Sequence, residues 1–373
     1  MFTSVVLVAA GKGERLGLGV PKAEAVIGGK TLFEHALQTI KAFDPAQLVV
    51  VAPASLVENY RQISTEFSFQ SLEVVAGGET RQDSVSNGLS KATGELVLVH
   101  DAARAFMPSE VFTSVTQALT GYDCVIPALP VTDTLKSVAG GEVSGTVDRS
   151  MTVRSQTPQG FKTAALRAAL TQTNSNFTDE AALMESQGFK VGTVLGSELG
   201  LKVTTPQDLE WAKLRFGIAR TGIGTDAHRF SEAGTLTLGC ISWPEHPALE
   251  GHSDGDSVAH AIVDSLLGAA GLGDIGSNFG VDRPEYSGAA GKVFIKGALE
   301  LIEQAGLEVV NISVQVIADK PKIGPRRGEL EAALSELVGA PVSVLATTTD
   351  GLGFLADARG VAAVATALLR ERS

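Results

Sequence analysis

A glycine-rich loop near the N-terminus, followed by two cations, could bind the phosphate groups of a nucleotide. An apolar run of strand length leads into this segment, whose candidate residues are Ala10, Gly11, Gly13, Arg15 and Lys22. Glycines let backbone amides approach a phosphate closely, and the cations could neutralise a triphosphate as charge builds on leaving pyrophosphate. The spacing matches neither the dinucleotide-binding motif nor the P-loop. An ordinary turn between a strand and a helix stays the alternative.

A second glycine turn and an acidic residue lie further along the chain. Two glycines precede a helical stretch in which Asp83 or Ser84 could be the N-cap. Asp101 follows an apolar run of strand length, where a carboxylate could hold a divalent cation or a sugar hydroxyl. A capped loop with an internal pair between Asp101 and Arg104 would explain the same residues without a ligand.

Histidines and carboxylates in the last third of the chain could hold a metal ion. Asp226 and His228 are two residues apart, so both side chains point the same way on an extended segment. His260 follows inside a helix predicted to begin near Ser257. One carboxylate and two imidazoles with an open fourth position are typical of a catalytic zinc site. The alternative is a chance Asp-x-His beside a polar turn, residues 252–256, that caps the helix.

The apolar pattern predicts the elements that must position these side chains. In residues 1–216, continuous apolar runs alternate with helical stretches, which predicts an α/β fold with a doubly wound parallel sheet. The predicted strands span residues 4–9, 48–52, 96–100 and 124–128, and the predicted helices span residues 31–43, 83–92 and 108–119. Ligands of such a sheet bind beyond the carboxyl ends of its strands.

The sequence predicts a domain boundary near residue 218. A predicted helix ends near residue 216, so we expect one domain at residues 1–217 and an α+β domain at residues 218–373. The second domain's predicted strands span residues 221–225, 309–318 and 342–348, and its predicted helices span residues 257–270, 289–304, 326–338 and 360–371.

The composition excludes several classes of protein. A chain of 373 residues is long enough for two or three domains, and its formal charge of −12 argues against nucleic acid or an anionic membrane as the main partner. Cys124 and Cys240 fit neither a disulfide framework nor a thiolate metal site. Because the N-terminal apolar run is short and no run approaches 18 residues, we expect a soluble cytoplasmic protein with no membrane span.

The motifs of residues 1–216 resemble the sugar-phosphate nucleotidyltransferases, most closely the 2-C-methyl-D-erythritol 4-phosphate cytidylyltransferase family. The resemblance implies a Rossmann-like nucleotidyltransferase domain that transfers CMP from CTP to methylerythritol phosphate, with Mg²⁺ or Mn²⁺ on the nucleotide. Arg15 and Lys22 would stabilise the transition state. The nucleotide would contact Ala10, Gly11, Gly13 and Ser84. The second substrate would contact Asp101, Arg104, Thr134, Arg149, Thr178 and Lys202, some of them across a dimer interface.

Residues 221–373 resemble the 2-C-methyl-D-erythritol 2,4-cyclodiphosphate synthase family through GTDAHRF, HSDGDSVAH, LLGAAGLGDIG, KPKIGP and ATTTDGLGF. The resemblance implies closure of a cyclic diphosphate with release of CMP, at zinc or another divalent metal. His252 and Thr348 would be catalytic, and Asp350 would hold a second divalent ion. The zinc ligands would be Asp226, His228 and His260. The erythritol part would contact Asp274, Gly276 and Phe354, and cytidine would contact Ala318, Pro321, Lys322, Ala346 and Thr347.

Four segments depart from these families. Ala23-Glu24 stands where Gln-Tyr is usual, and Ala105 stands where proline is usual. Residues 280–283 and 355–359 also differ from the usual runs, so we expect altered substrate affinity or a different cavity on a trimer axis.

The two resemblances together predict a fused enzyme of non-mevalonate isoprenoid synthesis. The kinase step between its two reactions falls to another protein, which could be a partner. Dimer contacts in one domain and trimer contacts in the other would build a homo-oligomer of six chains. One alternative is a cytidylyltransferase whose C-terminal domain only binds metal for structure. Another is a scaffold that binds CTP without turnover.

Overall fold

A computed structural model describes residues 2–172, 175, 177–251, 253–280, 288–353 and 359–372. The chain divides into two units, Met1–Phe216 and Gly217–Ser373. None of the helices in the described residues combines the length and apolar character that crossing a membrane requires.

The first unit alternates strands and helices, as its sequence predicts. Its strands are β1 (Thr3–Val8), β2 (Val26–Ile27), β3 (Lys30–Thr31), β4 (Gln47–Ala52), β5 (Leu72–Ala76), β6 (Leu96–Asp101), β7 (Cys124–Pro130), β8 (Lys136–Ala139), β9 (Glu142–Thr146), β10 (Val153–Ser155), β11 (Gln159–Lys162) and β12 (Val191–Leu195). Its helices are α1 (Leu32–Phe43), α2 (Val57–Glu66), α3 (Arg81–Lys91), α4 (Ser109–Ala118), α5 (Thr163–Thr171), α6 (Glu180–Ser186) and α7 (Pro206–Phe216).

The main sheet of the first unit is mixed rather than wholly parallel. Its order is β10-β7-β11-β6-β1-β4-β5, with β12 beside β7. Strands β5, β4, β1 and β6 are parallel neighbours, as predicted, and β12 is parallel to β7. Strands β10 and β11 run antiparallel to β7, and β11 runs antiparallel to β6. Antiparallel strands can be joined without a crossover helix. An alternating β–α pattern in the sequence therefore does not predict them.

The helix that follows the second glycine turn begins earlier than the sequence suggested. Thr80, not Asp83 or Ser84, is the N-cap of α3. Its hydroxyl accepts the Asp83 N–H at 3.0 Å, and the Asp83 carboxylate accepts the Thr80 N–H at 3.0 Å. This reciprocal pair is a capping box, in which the acidic residue takes the third helical position. The cap places Arg81 at the first position of the helix.

The second unit packs helices on one sheet, in the α+β manner that its sequence predicts. Its strands are β13 (Arg220–Arg229), β14 (Leu236–Leu238), β15 (Ile241–Trp243), β16 (Leu307–Ile317), β17 (Val342–Thr347) and β18 (Gly360–Glu371). Its helices are α8 (Ser257–Ala270), α9 (Ile275–Phe279), α10 (Gly291–Gln304) and α11 (Arg327–Val338).

The helix predicted at residues 360–371 is wrong, because this segment is strand β18. The sheet order is β13-β18-β16-β17, so β18 pairs along both of its edges. Its alanines and leucines favour a helix when taken alone, but this pairing and the burial of Ala363, Ala365 and Ala367 override that propensity. Small side chains also allow α8 to approach the sheet.

Helix α8 lies directly on β13 because two glycines leave room for its backbone. A Cβ atom at Gly222 would lie 2.1 Å from the carbonyl oxygen of Ser265, and one at Gly224 would lie 2.1 Å from that of Ala261. Neither position can accept a side chain unless the helix moves away. The contact therefore sets how closely side chains on β13 and α8 can meet.

We predict that Gly224→Ala lowers the free energy of unfolding of the second unit by about 1–3 kcal/mol, because the added methyl group would push α8 away from the sheet. Denaturant unfolding of the full chain, with hydrogen exchange across α8, measures the effect. Gly328→Ala is the matched control, since an added Cβ there meets open space. It should leave stability unchanged or raise it by up to about 1 kcal/mol. Equal losses in the two variants would contradict this packing account.

Candidate active sites

A cavity of about 510 Å³ opens at the carboxyl ends of β1 and β6. The parallel register pairs Val8, the last residue of β1, with Asp101, the last residue of β6. Eight of the residues predicted to act in this domain line the cavity: Ala10, Gly11, Gly13, Arg15, Lys22, Ser84, Asp101 and Lys202. The sheet topology thus gathers side chains that are almost 200 residues apart.

The glycine-rich loop folds back on itself within this cavity. Gly13 has a φ of 74°, and a Cβ atom there would lie 2.9 Å from the Lys22 backbone nitrogen. The Lys22 N–H donates to the Gly11 carbonyl at 3.1 Å. A Cβ at Gly77 would lie 2.4 Å from that of Ala10. Glycine at these positions lets the backbone segments around Lys22 and Gly77 pack against the loop without a side chain between them.

Three positive side chains, Arg15, Lys22 and Lys202, line the cavity. Lys22 donates from Nζ to the Thr204 hydroxyl at 3.0 Å. Burial and the nearby Lys202 lower the pKa of Lys22 to about 8. Lys202 Nζ lies 2.6 Å from Asp101 Oδ2. Among the described residues, no hydrogen bond or ion pair is made to the Arg15 side chain, so its guanidinium can meet an incoming anion.

Asp101 is held by an arginine that the sequence did not single out. Arg81 donates to Asp101 Oδ1 from Nε at 3.2 Å and from Nη2 at 3.1 Å. Arg81 Nη1 lies 2.8 and 2.9 Å from the two carboxylate oxygens of Glu180. Burial would raise the pKa of Asp101, but Arg81 and Lys202 outweigh burial and hold that pKa far below its usual range. The available signal was Arg81 at the start of a helix after a glycine turn.

Four residues predicted to bind the second substrate lie outside the cavity lining. Arg104 donates to the carbonyls of Gly200 and Ser155, at 2.7 and 3.2 Å. Thr178 is exposed and precedes α6. Thr134 and Arg149 are exposed on either side of the β8–β9 hairpin. The cavity of one chain therefore does not gather these four with Asp101 and Lys202.

Three potential metal ligands converge in the second unit. Asp226 Oδ2 lies 2.9 Å from His228 Nε2 and 2.9 Å from His260 Nδ1. One donor atom from each of the three residues falls within 4.8 Å of the others. The other ring nitrogen of His260 lies 3.0 Å from the Ser253 hydroxyl, which orients the imidazole. A carboxylate and two imidazoles in this arrangement fit a divalent cation such as zinc.

The charge of this cluster is concentrated on Asp226. Burial would raise the pKa of its carboxyl, but hydrogen bonds to His228 and His260 hold that pKa far below its usual range. Its hydrogen bond to Asp226 raises the pKa of His228. The three side chains therefore present an anionic oxygen and two nitrogens at one point.

The polar turn before α8 has structural roles of its own. Asp256 is the N-cap of α8 and accepts the N–H groups of Gly239 at 2.8 Å and Cys240 at 2.7 Å. Asp254 accepts the Gly291 N–H at 2.8 Å, at the start of α10. One alternative anticipated a helix-capping turn here, and Asp256 fills that role beside the metal cluster.

The residues predicted to contact cytidine lie where two parallel strands end. Ala346 and Thr347 close β17, and Ala318 follows β16. The Ala318 N–H donates to the Thr347 carbonyl at 3.0 Å. Pro321, which is buried, and Lys322, which is exposed, continue the same segment.

The remaining predicted residues of this unit that the structure describes are not part of the three-ligand cluster. Asp274 caps α9, which contains Gly276. Thr348 donates to Asp350 Oδ1 at 2.9 Å, and Asp350 is exposed and separate from the three clustered ligands. The predicted residues His252 and Phe354 lie outside the described residues.

Both units match known families. Residues 3–217 match the family described as 2-C-methyl-D-erythritol 4-phosphate cytidylyltransferase (IspD), and residues 219–370 match the YgbB family. A protein of Clavibacter michiganensis subsp. michiganensis named bifunctional enzyme IspD/IspF is 48% identical, over 98% of this chain and 94% of its own. A protein of that name from Rhodospirillum rubrum is 38% identical, over 98% of both chains.

A solved structure spans both units as well. The bifunctional IspDF of Campylobacter jejuni is 29% identical with a TM-score of 0.50, and the match covers 100% of this chain and 99% of that one. The chain therefore belongs to the bifunctional IspD/IspF family, in which a cytidylyltransferase is joined to a cyclodiphosphate synthase of the methylerythritol phosphate pathway.

Proposed function

We propose that the first unit transfers CMP from CTP to 2-C-methyl-D-erythritol 4-phosphate within the cavity at β1 and β6. An oxygen of the substrate phosphate attacks the α-phosphorus of CTP, and the bond to the β-phosphate oxygen breaks to release pyrophosphate. No side-chain nucleophile is required, because positioning and charge neutralisation carry such a transfer. The observation that carries this proposal is the grouping of Arg15, Lys22 and Lys202 around a glycine-rich loop.

Each part of this cavity then has a role. The backbone at Ala10, Gly11 and Gly13 cradles the phosphates, and Ser84 lies on the side of the base. Arg15 and Lys22 neutralise the charge that develops on pyrophosphate. A Mg²⁺ or Mn²⁺ ion arrives with the nucleotide as part of the substrate.

The second substrate lies against Asp101 and Lys202, which the cavity brings within 2.6 Å of one another. We assign Arg104 and Thr178 to the same substrate, although neither lines the cavity of one chain. Thr134 and Arg149 are exposed at the β8–β9 hairpin, which supports a homodimer in which they serve the site of another copy.

The second unit cyclises 4-CDP-2-C-methyl-D-erythritol 2-phosphate in our proposal. Asp226, His228 and His260 hold a divalent cation, for which zinc fits the donor set. When bound, the cation supplies Lewis-acid polarisation of a phosphate oxygen. The 2-phosphate of the substrate attacks the β-phosphorus, and the bond to the α-phosphate oxygen breaks to release CMP. A phosphate nucleophile is already anionic and needs no general base.

Other residues of the second unit orient this substrate. His252 and Thr348 stabilise the transition state, and Asp350 serves a second divalent ion. The erythritol part contacts Asp274, Gly276 and Phe354. Cytidine contacts Ala318, Pro321, Lys322, Ala346 and Thr347. Trimer contacts in this unit, together with dimer contacts in the first unit, would assemble six chains. We place the enzyme in the cytoplasm, where a kinase partner would carry out the step between its two reactions.

We predict that kcat/KM for CTP falls as the pH rises through about 8. The pKa of Lys22 is lowered to about 8, so its ammonium loses a proton there, and this ratio reports ionisations of the free enzyme. Lys22→Arg should remove the decline because a guanidinium stays charged, whereas Lys22→Ala should lower kcat by about 10²–10³. Pyrophosphate release measured between about pH 6 and 10 checks this.

The control for this profile is Lys162→Arg. Lys162 pairs with Asp123 on the surface at 3.0 Å, so its replacement should leave the profile unchanged. A Lys22→Arg enzyme that still declines through the same pH would show that another group titrates.

We predict that Asp226→Asn lowers zinc affinity by more than about 100-fold. Residues that only hydrogen-bond to a metal ligand already change metal affinity by about 10–100-fold, and a ligand itself should contribute more. Metal content and competition with a chelator measure the affinity, and CMP release measures the reaction. Asp264→Asn is the matched control. It makes the same change on α8 but can still accept the Ile275 N–H that Asp264 accepts at 2.8 Å. Full zinc content in Asp226→Asn would contradict the assigned ligands, and pyrophosphate release by the first unit should survive in both variants.

A further inference from the structure

Four charged groups form a chain of contacts beside the first cavity, and three of them, Arg81, Asp101 and Lys202, line it. Glu180 contacts Arg81, Arg81 contacts Asp101, and Asp101 contacts Lys202, with the closest distance at each step between 2.6 and 3.1 Å. Two carboxylates and two cations alternate, so the formal charges balance. Asp101 and Lys202 belong to the proposed substrate site, whereas neither Glu180 nor Arg81 is assigned a contact with the substrate.

Glu180 is buried to an extent that is unusual for a carboxylate. Only 3% of its side chain is exposed, and both of its oxygens face one nitrogen of Arg81. Breaking such a pair by removing one partner leaves an uncompensated buried charge. Glu180 is the first residue of α6 and Arg81 is the first residue of α3, so the pair joins two helix starts that are 99 residues apart.

The contact decides where the rest of the Arg81 guanidinium points. With Nη1 directed to Glu180, both Nε and Nη2 donate to a single oxygen of Asp101. The other oxygen of Asp101 is left to Lys202. Arg81 also lines the cavity, so without its partner it could turn away from Asp101.

We propose that Glu180 is a positioning residue, which fixes Arg81 on Asp101 and thereby orients Asp101 and Lys202 toward the phosphosugar substrate. This inference rests on the proposed function of the first unit. Glu180 itself touches no substrate in this arrangement. Its effect passes through Arg81, which holds Asp101 ionised and in one orientation.

The test compares Glu180→Gln with the conservative Glu180→Asp in the full chain. Glu180→Gln removes the charge at similar size, so it should raise KM for methylerythritol phosphate about tenfold, the equivalent of one charged hydrogen bond, while KM for CTP stays within about twofold. Glu180→Asp should recover most of the loss. Asp179→Ala is the structural control, because Asp179 caps the same helix and lies next to Glu180.

A purely structural role predicts a different pattern. Glu180→Gln would then lower the unfolding midpoint as Asp179→Ala does and leave both KM values unchanged, and this result would overturn the proposal. A crystal structure of Glu180→Gln decides the matter independently of turnover. Arg81 displaced from Asp101 supports the proposal, and Arg81 retained on Asp101 overturns it. An unaltered chain that releases no pyrophosphate would instead refute the proposed function, while this structural comparison would still stand.

Discussion

Both sites depend on one interaction, in which an aspartate on a strand is held ionised by positive or proton-donating neighbours. Asp101 ends β6 between Arg81 and Lys202, and Asp226 lies within β13 between His228 and His260. In each case burial would raise the pKa of the carboxyl, and the neighbours outweigh it. A chain with a formal charge of −12 can therefore handle polyphosphate substrates, because its cations are placed locally rather than supplied in excess.

Close backbone packing brings these partners together. In the first unit, glycines at residues 13 and 77 allow the loop after β1 to lie against its neighbours. In the second unit, Gly224 lets α8 rest on β13, so that a histidine of the helix meets an aspartate of the strand. The chemistry of each site thus depends on glycine positions, which have no side chain. A methyl group added at such a position would act on the site through the backbone.

The sequence predicted local features well but missed some long-range contacts. The two-residue spacing of Asp226 and His228 predicted that both side chains point the same way on a strand. The polar turn before Ser257 predicted the start of α8. Strand β18 was misread as a helix because its alanines carry no sign of pairing on both edges. The contact between Arg81 and Glu180 could not be foreseen, since nothing in a helix start indicates which other helix start it meets.

The most direct test is a crystal structure of the full chain grown with CTP and zinc, with anomalous diffraction recorded at the zinc edge. We predict a zinc peak between Asp226, His228 and His260, and the triphosphate against Gly11 and Lys22 at the ends of β1 and β6. A zinc peak away from these three ligands, or CTP bound outside this cavity, would contradict the account.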